Sequence, residues 1–379
     1  MKARVVIVGG GVASLEAALA LHELAGERVA VGIYSPRREF VYRPYAVGEP
    51  FGAARVKTYD LASLAERCGA DYNPSSVASV DTNARLATTH DGVSVSYDFL
   101  ILAPGASRQW PVPGATTFWG IADAGDVDSV MERIRAGEVR RIAFTMPGVD
   151  SWALPMYELA LLAEAQVATE GTGGVELTVV TLEDAPLQLF GRTVSEGVAA
   201  LLAERGIDLV TSAHPVRFKD GRLQTVPGDP LPFDEVVSLP RLEGRAVRGV
   251  LHDPDGFARI DDHCRVLKEE RIYAAGDVTS FPVKQGGIAA QQADVAAESI
   301  AAELGVAIAP RVFDPILRGV LWTGYGPLYL QGWLAGGHGE TSTLSSQPPW
   351  DGGTAKIVAR HLSPFLAEVD ADHEVAVRA

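Results

Sequence analysis

Cysteine is scarce in this chain of 379 residues. Only Cys68 and Cys264 occur, and neither belongs to a Cys-x-x-Cys or Cys-x4-Cys pair. The scarcity fits a reducing compartment, and the missing pairs exclude the dithiol chemistry of disulfide reductases. Cys68 lies in a segment with helical core spacing and Cys264 lies in a short turn, so we expect both thiols to be structural.

Basic residues and long apolar runs are also few. The chain carries 33 Lys and Arg against 48 Asp and Glu, a net charge of −15, which argues against a nucleic-acid partner and against docking on anionic lipid. No apolar run is long enough to span a membrane. The apolar N-terminus mimics a signal peptide but contains a Gly triplet and lacks a cleavage site, so we expect a cytoplasmic protein. Eight scattered histidines show no ligand spacing, and we predict no metal site.

Apolar strands alternate with helical segments along most of the chain. This alternation predicts an α/β fold with two Rossmann-like dinucleotide-binding domains, the second inserted in the first. We expect residues 1–115 and 241–308 to form the first domain and residues 116–240 the inserted one. Residues 309–379 are predicted to add a small C-terminal region with a hairpin, a flexible connection at 335–353 and a last helix near 355–368.

A glycine-rich turn follows the first apolar strand and precedes a helix. It reads Gly9-x-Gly11-x-x-Ser14. In such a turn Gly9 permits the tight bend, Gly11 lets a pyrophosphate approach the backbone, and a small residue at position 14 allows the helix to pack on the strand. Within a βαβ unit this pattern predicts a dinucleotide site, with Val12 and Ala13 between its glycine and its serine.

The end of the second strand departs from the usual pattern. An acidic residue commonly binds the adenosine ribose there, but this chain has Ser35, followed by Arg37 and Arg38. Ser35 can reach a ribose hydroxyl while both arginines are solvated. A serine with arginines also suits a 2′-phosphate, which leaves NADPH in the first domain as an alternative.

A second signature lies about 260 residues later, in the segment 272–293, IYAAGDVTSFPVKQGGIAAQQA. It predicts a strand, an Ala-Gly-Asp turn containing Gly276 and Asp277, and a helix that begins at Gly286. A ligand that binds both signatures is long. FAD fits, with its adenosine and pyrophosphate at the first site and its ribityl chain and ring at the second.

These motifs resemble the two-dinucleotide-fold flavoprotein reductases, and within them the sulfide:quinone reductase and type II NADH dehydrogenase branch. The resemblance covers about residues 3–305. It depends on VVIVGGGVAS, FVYRP, YDFLILAPGA, LPMYELAL, IYAAGDV and PVKQGGIAAQQA.

The resemblance implies roles for individual residues. Asp277 binds the ribityl hydroxyls, Val77 contacts adenine through its backbone, Gly105 closes over the pyrophosphate, and Arg43 lies near the flavin. The helix from Gly286 directs its N-terminus at the pyrimidine edge of the ring, where reduced flavin carries negative charge. The expected cofactor residues are Gly9, Gly11, Val12, Ala13, Ser14, Ser35, Arg43, Val77, Ala103, Pro104, Gly105, Gly276, Asp277, Lys284, Gln285, Gly286 and Gly287.

The phosphate turn of the inserted domain lacks the glycines that NADH-binding relatives carry. It reads Met146–Trp152, in which Asp150 would repel a pyrophosphate and Trp152 would crowd it, so we expect no NAD(P)H there. The sulfide:quinone reductase branch similarly lacks that site but depends on redox cysteines. Neither cysteine of this chain falls where such a thiol is expected, which argues against sulfide oxidation through a persulfide.

Two residues are candidates for chemistry beside the flavin. Glu158 aligns with a glutamate that related reductases place near the ring, and shielding by Trp152, Pro155 and Tyr157 would raise its pKa. Lys284 could add a positive charge near the ring, or be an exposed loop lysine. The pair Gln291-Gln292 is similar to a quinone-site helix, or is a helix face with its own hydrogen bonds. The tail aromatics Trp322, Tyr325, Tyr329 and Trp333 are expected to cover the flavin cavity or a dimer interface.

We therefore predict an FAD-dependent oxidoreductase that passes electrons between the flavin and a small apolar or quinone-like molecule, without NAD(P)H in the inserted domain. Two alternatives stay open. One is an NAD(P)H-dependent flavoprotein reductase, and the other is a flavin-binding sensor or assembly protein without catalysis. The sequence is compatible with a homodimer and does not name the electron donor or acceptor.

Overall fold

Two five-stranded parallel sheets organise the chain. The computed structural model describes residues 2–109, 112–148, 152–334, 342–351 and 353–378, with the backbone alone at 374–378. The first sheet has, in spatial order, the strands Ile272–Ala274, Phe99–Leu102, Ala3–Val8, Val29–Tyr34 and Ala70–Asn73. The second has Thr116–Thr117, Glu235–Ser238, Arg141–Thr145, Glu176–Val180 and Ile207–Val210. The predicted α/β fold with two Rossmann-like units is confirmed.

The described residues form seven α-helices, most of which pack on these sheets. The central strands of both sheets are apolar and buried on both faces, as parallel strands covered by helices require. The helices are α1 (Val12–Ala25), α2 (Leu61–Arg67), α3 (Ala124–Arg135), α4 (Leu154–Glu170), α5 (Arg192–Glu204), α6 (Gly286–Glu303) and α7 (Leu362–Arg378). Short 3-10 turns occupy Gly26–Arg28, Arg43–Phe51, Ile121–Asp123 and Gln188–Phe190.

Smaller antiparallel units complete the two domains. Val77–Asp81, Leu86–Thr89 and Ser94–Ser96 form one three-stranded sheet, and His214–Lys219, Arg222–Val226 and Leu231–Pro232 form another. The strand pairs Glu39–Val41 with Thr58–Asp60 and Ala106–Gln109 with Arg241–Gly244 are two-stranded ribbons. In the second ribbon, Ala106–Gln109 follows a strand of the first parallel sheet and Arg241–Gly244 follows a strand of the second.

The C-terminal region differs from the prediction in two places. Its sheet has three strands, because Ser342–Ser345 pairs with Pro327–Trp333, which also pairs with Ile316–Trp322. The last helix begins at Leu362 rather than near residue 355. Residues 353–361 form an irregular segment in which Lys356, Ile357 and Ala359 are buried. Among the described helices, none combines the length and the apolar character that a membrane crossing requires.

Candidate functional site

The first glycine-rich turn is built as its sequence predicts. Gly9 has φ +128°, and a Cβ there would lie 2.1 Å from the carbonyl oxygen of Ala103, so only glycine fits. Gly11 is different, because no atom lies within 4 Å of the position of its absent Cβ. The turn therefore packs tightly on the protein at Gly9 and leaves free space at Gly11, the position where a phosphate must approach the backbone.

Helix α1 begins in that open space. Its N-cap, Gly11, offers no side-chain acceptor, so the N–H groups of Val12, Ala13 and Ser14 lie in the first turn without a capping group. Ser14 is fully buried, and its Oγ has no hydrogen-bond partner among the described residues, which fits the small packing residue expected there. The helix start provides backbone donors and a positive dipole end, as a pyrophosphate site needs.

Arginines surround the same turn. The Oγ of the buried Ser35 accepts a hydrogen bond from the N–H of Arg37 at 3.3 Å, and Arg245 donates to the carbonyl oxygen of Pro104 at 3.4 Å. Burial, and then the nearby charge of Arg37, lower the pKa of Arg245. Two guanidinium groups that repel each other beside an open helix start favour a polyanionic ligand. Ser35 itself is engaged with the backbone of its own turn.

Asp277 lies at the second signature, close to Arg43. Its Oδ2 is 3.7 Å from Nη2 of Arg43, whose guanidinium stacks on the ring of Trp119 at 4.1 Å. The preceding Gly276 has φ +83°, and its N–H donates to Oε1 of Gln292 at 2.7 Å. The turn thus holds a partly exposed carboxylate next to an arginine, at the carboxyl end of the strand Ile272–Ala274.

Helix α6 begins beside this turn. Gln285 is its N-cap, and its Oε1 accepts from the N–H of Ile288 at 3.0 Å while its Nε2 donates to the carbonyl oxygen of Arg318. This cap leaves the N–H groups of Gly286 and Gly287 as first-turn donors for a ligand. Gly286 also packs closely against Ile357, because a Cβ there would lie 2.9 Å from that side chain.

The remaining cofactor residues border the same region. Ala103 is buried and its N–H donates to the carbonyl oxygen of Val8, so Pro104 and Gly105 follow the end of a central strand. Gly105 has φ +74° and open space around its absent Cβ. Val77 is buried in the small antiparallel sheet. Their predicted contacts with adenine and pyrophosphate stay predictions.

A cavity of about 120 Å³ lies where the Arg43 turn, α4, α6 and the C-terminal region meet. Its walls are mostly apolar, and its polar side chains are few. The lining consists of Arg43, Pro44, Ala46, Val47, Phe118, Trp119, Trp152, Leu154, Pro155, Glu158, Leu239, Lys284, Gln285, Gly286, Gly319, Val320, Lys356 and Ile357. The cavity therefore brings both predicted catalytic residues, Glu158 and Lys284, to one place.

Glu158 forms a buried ion pair that the sequence analysis missed. Its Oε1 lies 2.5 Å from Nζ of Lys356 and accepts the N–H of Trp322 at 2.8 Å, and only 2% and 4% of the two charged side chains are exposed. Burial raises the pKa of Glu158, and the lysine opposes that rise. Burial likewise lowers the pKa of Lys356, and the carboxylate opposes that change. The pair is a neighbouring acid and base whose proton affinities approach each other.

Lys356 reaches the cavity on the irregular segment before α7. The segment is fixed where the N–H of Ile357 donates to the buried hydroxyl of Tyr42 at 2.9 Å. The ammonium of Lys356 lies 3.8 Å from the centre of the Trp322 ring, which itself stacks on Tyr45 at 5.5 Å. In the sequence, Lys356 is followed by Ile-Val in a Gly-rich region. That pattern also fits an exposed loop, so the burial of Lys356 could not be predicted without the tertiary contacts.

Lys284 is buried rather than an exposed loop lysine. Its Nζ donates to the carbonyl oxygen of Thr279 and lies 3.8 Å from the centre of the Phe257 ring. Gln291 bonds the backbone of Ile316 in both directions, at 2.9 Å each. Gln292 accepts from Gly276, so both glutamines make the helix-face bonds that were the alternative to a quinone site. A catalytic role for Lys284 stays a prediction.

The carboxylate at the ribose position of the second sheet is bound by the protein's own hydroxyl groups. Glu183 follows the strand Glu176–Val180, where a dinucleotide domain commonly presents a ribose-binding carboxylate. Here it is buried and accepts from the hydroxyl of Tyr157 at 2.6 Å and from Thr181 at 3.1 Å. Burial raises the pKa of Glu183. Trp152 packs on Phe190, whereas Asp150, the other feature expected to repel a phosphate, lies outside the described residues.

Both cysteines are buried in apolar cores. Burial raises the pKa of Cys68 to about 12, and it raises the pKa of Cys264 as well. Neither residue lines the cavity. Thiols that resist ionisation are poor nucleophiles, which agrees with the structural role expected for both.

The tail aromatics divide between two roles. Trp322 lies behind the buried ion pair, and its neighbours Gly319 and Val320 line the cavity. Tyr325 instead stacks with Arg205 at 3.8 Å, and Tyr329 packs edge-on against Trp350. The C-terminal sheet thus closes one side of the cavity through the strand Ile316–Trp322.

Most of this chain is similar to known proteins. The sequence profile of the pyridine nucleotide-disulphide oxidoreductase family matches residues 3–144 and 158–298. The profile leaves residues 145–157 unmatched, and these contain the inserted domain's turn Met146–Trp152, which lacks the usual glycines. The matched segments contain the turn at Gly9 and the turn at Asp277.

Individual relatives have low sequence identity to this chain but match long stretches of it. An NADH dehydrogenase-like protein of Mycobacterium tuberculosis is 26% identical over 301 residues, which cover 73% of each chain. The sulfide-quinone reductase of Aquifex aeolicus is 24% identical over 226 residues, 56% of this chain and 51% of the relative. The crystal structure of the sulfide:quinone oxidoreductase from the same bacterium superimposes with a TM-score of 0.80 at 20% identity, covering 91% of this chain and 87% of the other.

Proposed function

This chain belongs to the pyridine nucleotide-disulphide oxidoreductase family, and on that premise we propose that it reduces or oxidises a small quinone-like molecule without NAD(P)H in its inserted domain. It is an oxidoreductase and its cofactor is FAD. The open helix start at Gly11, the arginines beside it and Asp277 at the second turn fit a dinucleotide with a long polar centre.

The apolar cavity carries the proposal for the substrate. A flat, weakly polar molecule loses little by leaving water for walls such as Val47, Phe118, Trp152 and Val320. The cavity lies beside the first turn of α6, where the resemblance puts the pyrimidine edge of the flavin, so a substrate ring bound in it would lie next to the cofactor. When bound, FAD supplies two-electron exchange with such a molecule.

The buried pair Glu158–Lys356 is the single observation on which the proposal depends most. Reduction of a quinone to a hydroquinone takes up two protons and two electrons. A substrate buried in the cavity therefore needs a proton donor among the side chains that line it. The ammonium of Lys356 can donate a hydrogen bond and then its proton to a carbonyl oxygen of the substrate, and Glu158, the ionised partner of the pair, holds that ammonium in place. Burial lowers the pKa of Lys356, which favours release of a proton from its ammonium to a bound substrate.

The bound carboxylate of Glu183 supports the exclusion of NAD(P)H. Its carboxylate would have to leave Tyr157 and Thr181 to bind a ribose, which would strand two buried hydroxyl groups. Trp152 and Phe190 stack in the neighbouring space. These contacts favour a domain that has kept the dinucleotide fold while losing the dinucleotide.

Single-turnover kinetics test the role of the pair. The holoprotein is photoreduced under anaerobic conditions and mixed with decylubiquinone or with ferricyanide, which takes electrons without protons. We expect Glu158→Gln and Lys356→Met to slow reoxidation by the quinone about 100-fold and to leave the ferricyanide rate unchanged. Glu196→Gln, at an exposed glutamate of α5, is the matched control and should behave as the wild type.

Three results would count against the proposal. Equal slowing with both oxidants would give the ion pair a purely structural role. A wild-type rate with quinone no faster than that of free reduced FAD would remove quinones as substrates. Rapid bleaching of the oxidised flavin by NADH or NADPH would instead favour the NAD(P)H-dependent reductase.

A further inference from the structure

A second cluster of ionisable side chains lies away from the cavity, where α1, α6 and the start of α7 meet. It contains Glu16, Asp294 and His361, and one ligand atom from each lies within 4.8 Å of the others. Glu16 is fully buried, and its two oxygens accept the N–H groups of His361 and Leu362 at 2.9 and 2.6 Å. The cluster therefore anchors the N-terminus of α7 to the core.

One oxygen in this cluster is buried without a donor. Oδ1 of Asp294 has no hydrogen-bond partner among the described residues, although only 6% of the residue is exposed. The atom facing it is Nε2 of His361, at 3.6 Å. An unsatisfied carboxylate oxygen costs free energy in the interior, so the structure calls for a positive ligand between these two atoms.

The other nitrogen of the imidazole indicates which ligand fits. Nδ1 of His361 lies 3.2 Å from Oε2 of Glu23, which fixes the ring with its Nε2 facing Asp294. A histidine oriented by a carboxylate in this manner is typical of metal sites. Bonds of about 2.1 Å to two ligands of a tetrahedral ion place those ligands about 3.4 Å apart. The observed separation of 3.6 Å is close to that value.

The surrounding charges leave room for a cation. Arg311 lies 3.8 Å from Oδ2 of Asp294 but is engaged by Glu298 at 2.6 Å, and Arg360 also faces Glu298 at 3.6 Å. The arginine contact of Asp294 is to Oδ2, so Oδ1 stays open to a cation.

We propose that Glu16, Asp294 and His361 bind one divalent first-row transition metal ion, with Zn²⁺ the first candidate, at a site separate from the flavin cavity. Two carboxylate oxygens and one imidazole nitrogen suit such an ion, whereas Ca²⁺ and Mg²⁺ prefer oxygen ligands alone. The sequence analysis predicted no metal because the three ligands lie far apart along the chain and show no motif spacing.

The site also bears on the buried lysine. Only Ile357–Arg360 separates Lys356 from His361, and the hydroxyl of Ser363 bridges this stretch by donating to the carbonyl oxygen of Ile357 and accepting from the N–H of Ala359. An ion at Asp294 would therefore hold the far end of the segment that inserts Lys356 into the cavity. This consequence rests on the proposed function, but the metal site does not.

Calorimetric titration of the holoprotein with Zn²⁺, after removal of metals with EDTA and exchange of the buffer, tests the site. We expect one ion per chain and a higher midpoint of thermal unfolding when it is bound. Asp294→Asn and His361→Gln should each weaken the affinity at least about tenfold. His252→Gln is the matched control, because His252 is exposed and contacts only the neighbouring carbonyl oxygen of Asp253.

The outcomes separate a metal from a shared proton. Saturable 1:1 binding that Asp294→Asn and His361→Gln weaken, and that His252→Gln preserves, would support the site. Absence of stoichiometric binding in the wild type, with unchanged unfolding in Zn²⁺, would overturn it and leave a proton between the carboxylates. Equal affinity in all four proteins would overturn it too. Flavin content reports whether each variant folds, and the titration does not depend on turnover.

Discussion

Replacing Lys356 with methionine isolates the electrostatic part of the buried pair, because methionine keeps most of the side-chain volume. The two charged groups are 2.5 Å apart, and their side chains are 2% and 4% exposed, so solvent screens neither of them. Removing one partner of such a pair costs about 3–5 kcal/mol, since the other charge stays buried. A surface pair would cost about 1 kcal/mol or less.

The cost should depend on pH, and the sign follows from Glu158. Burial raises its pKa in the folded protein above the unfolded value, and loss of the lysine raises it further. A carboxyl group with a raised folded pKa destabilises the protein as pH rises above its unfolded pKa of about 4.3. Lys356→Met should therefore lose about 3–5 kcal/mol at pH 8 but only about 0.5–1.5 kcal/mol at pH 4, where Glu158 is neutral and only its hydrogen bond from the lysine is lost.

Urea unfolding at the two pH values, followed by tryptophan fluorescence, measures this difference. The double variant Glu158→Gln with Lys356→Met should recover part of the loss at pH 8, because no buried charge remains. Lys219→Met, at an exposed lysine, should change little at either pH. A loss below about 1 kcal/mol at pH 8 that does not vary with pH would refute the reasoning.

Three further predictions follow from the same geometry. Gly9→Ala should destabilise the fold by more than about 1 kcal/mol, because φ is +128° and the carbonyl oxygen of Ala103 blocks a Cβ, whereas Gly11→Val should unfold like the wild type but lose FAD on gel filtration. Tyr157→Phe should cost about 1–3 kcal/mol in thermal or urea unfolding, more at high pH, since the ionised Glu183 loses a donor. Both cysteines should resist a thiol reagent in the native protein and react after denaturation.

Local sequence patterns predicted the parallel strands and the two ligand turns well, because those elements are specified by neighbours in the chain. The start of α6 at Gly286 is found where the glycine placed it. Gly9 and Gly11 show the two different environments that their positions in the turn imply. Burial of Glu158 was also predictable from the apolar residues around it in sequence.

Contacts between distant segments were not predictable. Lys356 pairs with Glu158 across 198 positions, and the segment that carries it was predicted to be partly flexible and partly helical. The bond from Tyr157 to Glu183 and the meeting of Glu16 with Asp294 also depend on packing between helices and strands. Sequence spacing cannot show that Glu183, at a position suited to a ribose, turns inward to a tyrosine.

The electron partners of the bound flavin test the central claim most directly. The visible spectrum of the anaerobic holoprotein is recorded after addition of NADH or NADPH, and then, following photoreduction, after addition of decylubiquinone. The proposed function predicts that the oxidised flavin band persists with both nicotinamides and returns promptly with the quinone, faster than free reduced FAD reoxidises. Prompt bleaching by a nicotinamide, or reoxidation by the quinone at the rate of free flavin, would contradict it.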